Sequence, residues 1–258
     1  MGTQAGDELP DSVQTARTLF DVVQCVKAGE GMTLTELSTE LDYAKSTVHR
    51  HLRTLEHLGY VVERDDGYHV GLRFLDIGVT ARNSYDGYKL VRDKVEEIAE
   101  MTGERAQFFV EEHGEAVYLA RSVGDQAVHT DPGIGSRIPL HAASAGKAIL
   151  AELPESELFE ILEQMGLKSV TEYTITDRDE LLIELEEIRE RGYSFNREES
   201  LQGTHAVGVA ICGPSGDVIG GLSVTGPSHR LKGERFETEL PDLLLGAANE
   251  LELNIAHS

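Results

Sequence analysis

The sequence predicts an α+β chain: an N-terminal winged helix-turn-helix, a linker helix, and a larger C-terminal domain of mixed helices and strands. Three observations predict it. Three helix-period segments follow one another up to Gly59, and a hairpin signal comes directly after them. Beyond Gly103 strand-like and helix-like patterns alternate to the end. The charge is also uneven. The chain carries 23 Lys and Arg against 46 Asp and Glu, yet Tyr43–Val61 holds three cations, one acid and three histidines.

The first helix is read from SVQTARTLFDVVQCVKAGEG, beginning at Ser12, with Ala16, Leu19, Phe20, Val23 and Val26 on its apolar face. Gly29 offers it a left-handed stop. Thr33 and Glu36 form a capping box that opens a short second helix carrying Leu34, Leu37 and Leu41. Asp42-Tyr43-Ala44 has the length of a helix-turn-helix corner. In the third helix Val48, Leu52, Leu55 and Leu58 make the buried stripe, with Ser46, His49, Arg50, Arg53 and His57 facing away from it. YVVERDDGYHVG then alternates around Asp66-Gly67, a two-residue hairpin signal that supplies the wing.

A helix that enters a major groove needs small hydroxyl residues at its N-terminus and Arg or His reaching base edges. Ser46, Thr47, His49 and Arg50 fit that need, while Lys45, Arg53 and, from the wing, Arg64 suit phosphate contacts. Tyr43–Thr80 balances five cations with five acids, so the rest of the chain carries the whole net charge of -23. Only seven of the 23 cations are lysine, and the acids spread along the chain. That pattern predicts a solvated acidic coat of the kind halophiles use rather than a disordered tail.

From Leu72 to Gly103 the pattern is helical, with Val91, Val95, Ile98 and Thr102 on one stripe. RAQFFVEE and EAVYLARSVG flank His113-Gly114 as a hairpin. Glu157–Met165 and Asp177–Arg191 read as helices, the second opened by Thr176 and Asp179. HAVGVAICG and DVIGGLSVTG read as strands around Pro214-Ser215-Gly216, and a long helix from Glu234 to Ala256 is broken in its first part at Pro241.

Several chemistries are disfavoured. Ala145-Gly146-Lys147 lacks the Gly and the Ser or Thr of a phosphate loop, since His141 and Ala148 stand there. No HExxH is present, Ser144 lacks a nucleophile elbow, and His129, His141, His205 and His229 lack ligand spacing. Catalytic and metal-ligating residues are therefore not expected, and no cofactor is implied. Two free cysteines, Cys25 and Cys212, support no disulfide framework. A polar acidic start, MGTQAGDELPD, is no secretory signal, and no run approaches the roughly 18 apolar residues of a membrane helix. A reducing cytoplasm is expected.

SVQTARTLFDVV, Lys45-Ser46-Thr47-Val48-His49-Arg50 and Tyr68-His69-Val70-Gly71-Leu72 together resemble the IclR family of transcription regulators. The resemblance continues through GSRIPLHAASAGKAILAEL (135–153), RERGYSFNREESLQGTHAVGVAICGP (189–214) and GGLSVTGP (220–227), and so spans nearly the whole chain. It implies a DNA-binding domain over 10–71, a linker helix over 72–90, and a GAF-like effector-binding domain over 91–258. It also implies a homodimer, possibly paired into a tetramer, that binds operator DNA as repressor or activator under control of an organic acid or aromatic effector. The positions it assigns to that effector are Ile138, Ser144, Ala145, Asn196, Ala206, Ser223 and Thr225. Asn196 stands where the family often has Asp, and Ala206 where it often has Cys, so the ligands of other members do not transfer. Glu198 and Glu199 read as loop-shaping. A metabolite-converting enzyme and an interaction module that has lost DNA binding are the alternatives. The first would need product formation from candidate acids, and the second is disfavoured by the intact KSTVHR run.

Overall fold

The computed structural model describes residues 12–29, 31–85, 87–127 and 133–257. Met1–Asp11 and His129 lie outside the described residues. The chain divides into two compact units, Met1–Ala81 and Arg82–Ser258.

In the first unit α1 (Gln14–Ala28), α2 (Leu34–Glu40) and α3 (Lys45–His57) precede a hairpin of β1 (Val61–Arg64) and β2 (Gly67–Val70). Val22, Val23, Val26, Leu37, Val48, Leu52, Leu55 and Val61 form its core. The expected capping box is present: Glu36 N–H donates to Thr33 Oγ1 at 3.4 Å, and Thr33 N–H donates to Glu36 Oε2 at 2.8 Å. Tyr43 pins the corner, its hydroxyl donating to Asp21 Oδ2 on α1 at 2.7 Å while its carbonyl accepts from Ser38 Oγ.

Four details differ from the sequence expectation. The buried face of α1 is built on Val22, Val23, Cys25 and Val26, while Ala16 is exposed and Phe20 is 57% exposed. Phe20 is one residue out of step with the Leu19-Val22-Val23-Val26 stripe, so the helical turn carries it outward. Gly29 ends α1 in extended geometry, φ -94° and ψ 152°, rather than as a left-handed stop. Leu58 is 44% exposed, because the helix has already ended at His57 and the stripe no longer holds. Lastly, Arg64 pairs with Gly67, so the two-residue turn is Asp65-Asp66, one position earlier than expected. Gly67 sits at φ +129°, and a Cβ there would lie 2.6 Å from the backbone of Met32. Tyr68 N–H in turn donates to the Met32 carbonyl, so the wing is stitched to the segment ahead of α2.

The segment expected as one linker helix over 72–90 holds two. α4 is Arg73–Asn83, and α5 (Tyr88–Thr102) opens at Gly87 with φ 72°. A left-handed residue cannot continue an α-helix, so the break is local.

The second unit is a six-stranded antiparallel sheet in the order β5-β4-β3-β8-β7-β6, built from β3 (Arg105–Glu112), β4 (Glu115–Val123), β5 (Arg137–Pro139), β6 (Ser194–Arg197), β7 (Thr204–Cys212) and β8 (Val218–Pro227). His113 and Gly114, both at positive φ, make the β3–β4 turn. α5 and α9 (Leu240–Ala256) cover one face through Ala106, Phe108, Leu222 and Val224. α6 (Ser144–Glu152), α7 (Glu155–Met165) and α8 (Arg178–Arg191) cover the other through Phe109, Ala116 and Tyr118. α8 is capped by Asp177, whose Oδ1 accepts from Glu180 N–H at 3.0 Å; the expected Thr176 lies one residue too early. α9 follows a π-helical turn, Arg235–Glu239, with Pro241 in its first turn where no N–H is needed.

Gly208 on β7 is where α6 meets the sheet. A Cβ there would lie 2.4 Å from Ala145 N and 2.6 Å from Ser144 C, both backbone atoms that cannot swing aside. Gly208→Ala is therefore expected to cost about 1–3 kcal/mol through overpacking, read as a lower denaturation midpoint at unchanged slope. An unchanged midpoint would mean that α6 can lift off the sheet freely. Among the described residues no helix is long and apolar enough to cross a membrane.

Candidate functional site

Two regions carry the residues singled out by sequence, one in each unit. In the first, α3 buries Val48, His51, Leu52 and Leu55 and leaves Lys45, Ser46, His49, Arg50 and Arg53 exposed. Thr47 is half-buried beside them. Ala44 supplies no side-chain cap, so the first N–H groups of α3 stay open beside Ser46. Lys45 Nζ donates to Thr35 Oγ1 at 3.0 Å, which steadies it over the start of α2. Arg53 lies 3.9 Å from Glu56, an exposed and weak pair, and Arg50 makes no ion pair among the described residues. On the wing, Arg64 is exposed beside Asp65 and Asp66. Asp66 accepts from His69 at 2.8 Å, and that bond holds its carboxyl below the usual range.

In the second unit the sheet register sets out the other group. Residues directly opposite on paired strands share a face. One row across the sheet reads Ser194, Gly208, Ser223, Gln107, Arg121; the next reads Asn196, Ala206, Thr225, Arg105. Both rows lie on the α6 side, because Gln107 and Arg105 alternate with Ala106 and Phe108 of the opposite core. The start of α6 sits directly over them. Ser194 Oγ donates to the Ser144 carbonyl at 2.5 Å, and Asn196 Nδ2 donates to the Ala142 carbonyl at 2.5 Å.

The structure thus brings together Ser144, Ala145, Asn196, Ala206, Ser223 and Thr225. Ile138 lies elsewhere. It pairs with Ala116 near the start of β4 and packs against the apolar cluster around Leu140, whereas the polar rows cross β4 near its end. Asn196 is fully engaged: besides Ala142 it reaches Ser200 Oγ, and its Oδ1 accepts from Glu199 N–H at 3.1 Å. An aspartate could not donate to the Ala142 carbonyl, so asparagine here ties the α6 junction to the β6–β7 loop. Thr225 and Arg105 also line an open pocket of about 420 Å³, together with Leu201, Thr204 and His229.

Sequence reasoning missed Arg105, Gln107 and Arg121. Their signal was polar residues alternating inside strands that are otherwise apolar. Burial pushes the Tyr118 hydroxyl up, and the guanidinium charges of Arg105 and Arg121 pull against that rise. The Lys147–Glu199 pair was also missed as a contact. Lys147 is 1% exposed, with its Nζ 2.7 Å from Glu199 Oε2 and 3.4 Å from Glu184 Oε1. Glu198, at φ 67°, accepts from Gly203 N–H, so both glutamates act within the chain itself.

The lone histidines have ordinary partners. His141 is buried 3.1 Å from the Lys168 carbonyl, with burial lowering its pKa, and His205 bonds the Leu231 carbonyl. Among the described residues no group of three or more His, Cys, Asp and Glu is placed to hold a metal ion.

A winged helix with a polar, cation-bearing outer face and an α/β domain with polar rows along one sheet face make up a ligand-responsive transcription regulator. Residues 17–65 match the IclR helix-turn-helix domain, and residues 81–253 match the C-terminal domain of bacterial IclR transcriptional regulators. The chain belongs to the IclR family of transcriptional regulators. It is 34% identical over 250 residues to a probable HTH-type transcriptional regulator, ArcR, of Halobacterium salinarum, a match covering 95% of each chain. It is 30% identical to the Escherichia coli regulator KdgR, covering 97% of this chain and 96% of that one. The crystal structure of the Thermotoga maritima IclR superposes with a TM-score of 0.79 at 28% identity, covering 93% of this chain and 98% of that one. The similarity to a protein from a halophile accords with the acidic composition.

Proposed function

We propose that the exposed face of α3 reads operator DNA through Ser46, Thr47, His49 and Arg50, with Lys45, Arg53 and Arg64 on phosphates. A small organic or aromatic acid seats on the polar rows of the sheet, beside the start of α6. Its carboxylate is drawn to the N-terminal end of α6 at Ser144 and Ala145, and its polar substituents meet Ser223 and Thr225. Asn196 and Ala206 form the neighbouring wall. The observation that carries this reading is a patch of polar side chains on one sheet face, directly beneath a helix N-terminus.

The working form is a homodimer, because one winged helix spans only a few base pairs. The apolar side chains of α4 support pairing, since Leu75 and Ile77 are exposed and no residue of that helix is buried. The effector shifts the balance between operator-competent and incompetent states of the dimer.

The test is fluorescence anisotropy on DNA from upstream of the protein's own gene, in high KCl, with a panel of small acids. Specific binding is expected, and one class of acid should shift it in wild type and not in Thr225→Val. A shift that survives in Thr225→Val would move the effector elsewhere. No specific binding, there or across a wider operator search, would return weight to an interaction module.

A further inference from the structure

We propose that His69 is a positioning residue for DNA binding, whose proton offsets Asp66 and lets Arg64 meet a phosphate; this rests on the DNA-reading proposal above. On the wing, His69 Nε2 lies 2.8 Å from Asp66 Oδ1, with the imidazole 20% exposed and the carboxylate 64% exposed. His69 stands opposite Val62, and Arg64 opposite Gly67, so His69 and Arg64 share one face of the wing. Tyr68 points the other way, into the core. The turn holds the acid in place. A Cβ on Gly31 would lie 2.9 Å from Asp66 Oδ2, so the carboxylate packs over that backbone. The Tyr68 N–H bond to the Met32 carbonyl anchors the strand beside it.

Charge decides what this pair does. Val61–Val70 carries three acids, Glu63, Asp65 and Asp66, against one arginine, so its charge is -2 with a neutral His69 and -1 with a protonated one. The hydrogen bond survives either way, because a neutral ring can still donate from Nε2, and only the charge changes. An imidazole makes that change between about pH 5 and pH 8. A phosphate seated at Arg64 favours the charged ring on the same face, and by reciprocity the charged ring favours DNA. The His69 hydrogen bond, with a weaker pull from Arg64, already holds the Asp66 carboxyl below the usual range. The other charged groups around the wing are Glu63 and Asp65 beside it and Arg53 and Glu56 on α3. α1, which packs on β2, adds Arg17, Asp21 and Lys27. Among the described residues only Asp66 pairs with His69.

Fluorescence anisotropy at about pH 6 and about pH 8 tests this on a scrambled duplex and on the duplex from upstream of the gene. Both serve, because a phosphate contact carries no sequence information. At about 0.15 M KCl wild type should bind about three- to tenfold tighter at the lower pH, the range of one added charge beside a phosphate. His69→Gln should match wild type at the higher pH and miss most of the gain at the lower one. Asp66→Asn should bind at the higher pH roughly as tightly as wild type does at the lower. At 1 M KCl, where the Debye length is about 3 Å, these differences should fade. No gain in wild type, or a gain that His69→Gln keeps, overturns the inference; the second outcome assigns the titration to His49 and His57, exposed on α3. Asp66→Asn binding no tighter than wild type at the higher pH overturns it too, by placing the wing away from phosphate. If wild type binds neither duplex at either pH, the DNA-reading proposal itself fails, and this inference with it.

Discussion

Lys147→Met is expected to destabilise the second unit by about 3–5 kcal/mol, the cost of leaving one buried charge without its partner. Lys147 lies on α6 with its ammonium closed in by Glu199 and, less tightly, Glu184. Glu184 keeps a second partner in Arg191 at 3.1 Å. Among the described residues Glu199 has no second cation. Its backbone is held by Asn196 Oδ1 and by Thr174 Oγ1, the latter donating to the Glu199 carbonyl at 2.7 Å, so the side chain cannot turn out to water cheaply. Removing the lysine would strand that carboxylate. Taking both charges away, as Lys147→Met with Glu199→Gln, should recover most of the loss.

The same variant has a pH signature. Burial holds the Glu199 carboxyl above its ordinary 4.5, and Lys147 is the largest influence pulling it down. Without Lys147 it rises further. A carboxyl with a raised folded pKa binds its proton more readily in the native than in the unfolded chain. Stability is then highest below the unfolded pKa of 4.5 and falls as pH rises through the folded value. The deficit of Lys147→Met against wild type should be largest at alkaline pH and shrink as pH falls toward 4.5, measured as a difference in Tm. A deficit that stays constant with pH would mean that Glu199 finds another cation or water. Because the pair is buried, molar KCl should screen little of it.

Some of this was open to a reading of the sequence and some was not, and the division follows range. The Thr33–Glu36 box, the α3 stripe and the order of helices and hairpin depend on neighbours within a turn or two, and each shows in local spacing. The wing turn was misplaced by one residue because Gly67 serves the backbone of Met32, a tertiary contact that turn rules do not see. In the second unit, alternation indicated that Ser223 and Thr225 share a face. Only the register of β3 against β8 adds Gln107 and Arg105 to it. Ile138 illustrates the converse: a family position adjoining a proline says nothing of where β5 pairs along β4. The Lys147–Glu199 pair joins two segments 52 residues apart, beyond any periodicity.

Arg50→Ala is expected to weaken operator binding by roughly 10–100-fold, the worth of about 1–3 kcal/mol for a good bidentate base contact, without lowering stability. Arg50 is exposed on α3, and its carbonyl, not its guanidinium, is engaged, accepting from Thr54 Oγ1 at 2.9 Å. Lys45 and Arg53, as the proposed phosphate contacts, should differ in kind. A phosphate contact carries no sequence information, so Lys45→Ala should weaken specific and non-specific DNA alike and reduce the salt slope by about one. The background matters here. The chain carries a net charge of -23, and Arg64 shares the wing tip with Asp65 and Asp66, so long-range attraction to DNA is small from the outset. At 1 M salt the Debye length is about 3 Å, which silences distant charges and spares a direct base contact. The loss from Arg50→Ala should therefore persist in molar KCl, while the loss from Lys45→Ala fades. Anisotropy titrations of both variants on operator and scrambled DNA, in low and molar KCl, separate the two roles. If Arg50→Ala loses scrambled DNA as much as operator, and loses it only at low salt, Arg50 is a phosphate contact and base reading falls to Ser46, Thr47 and His49.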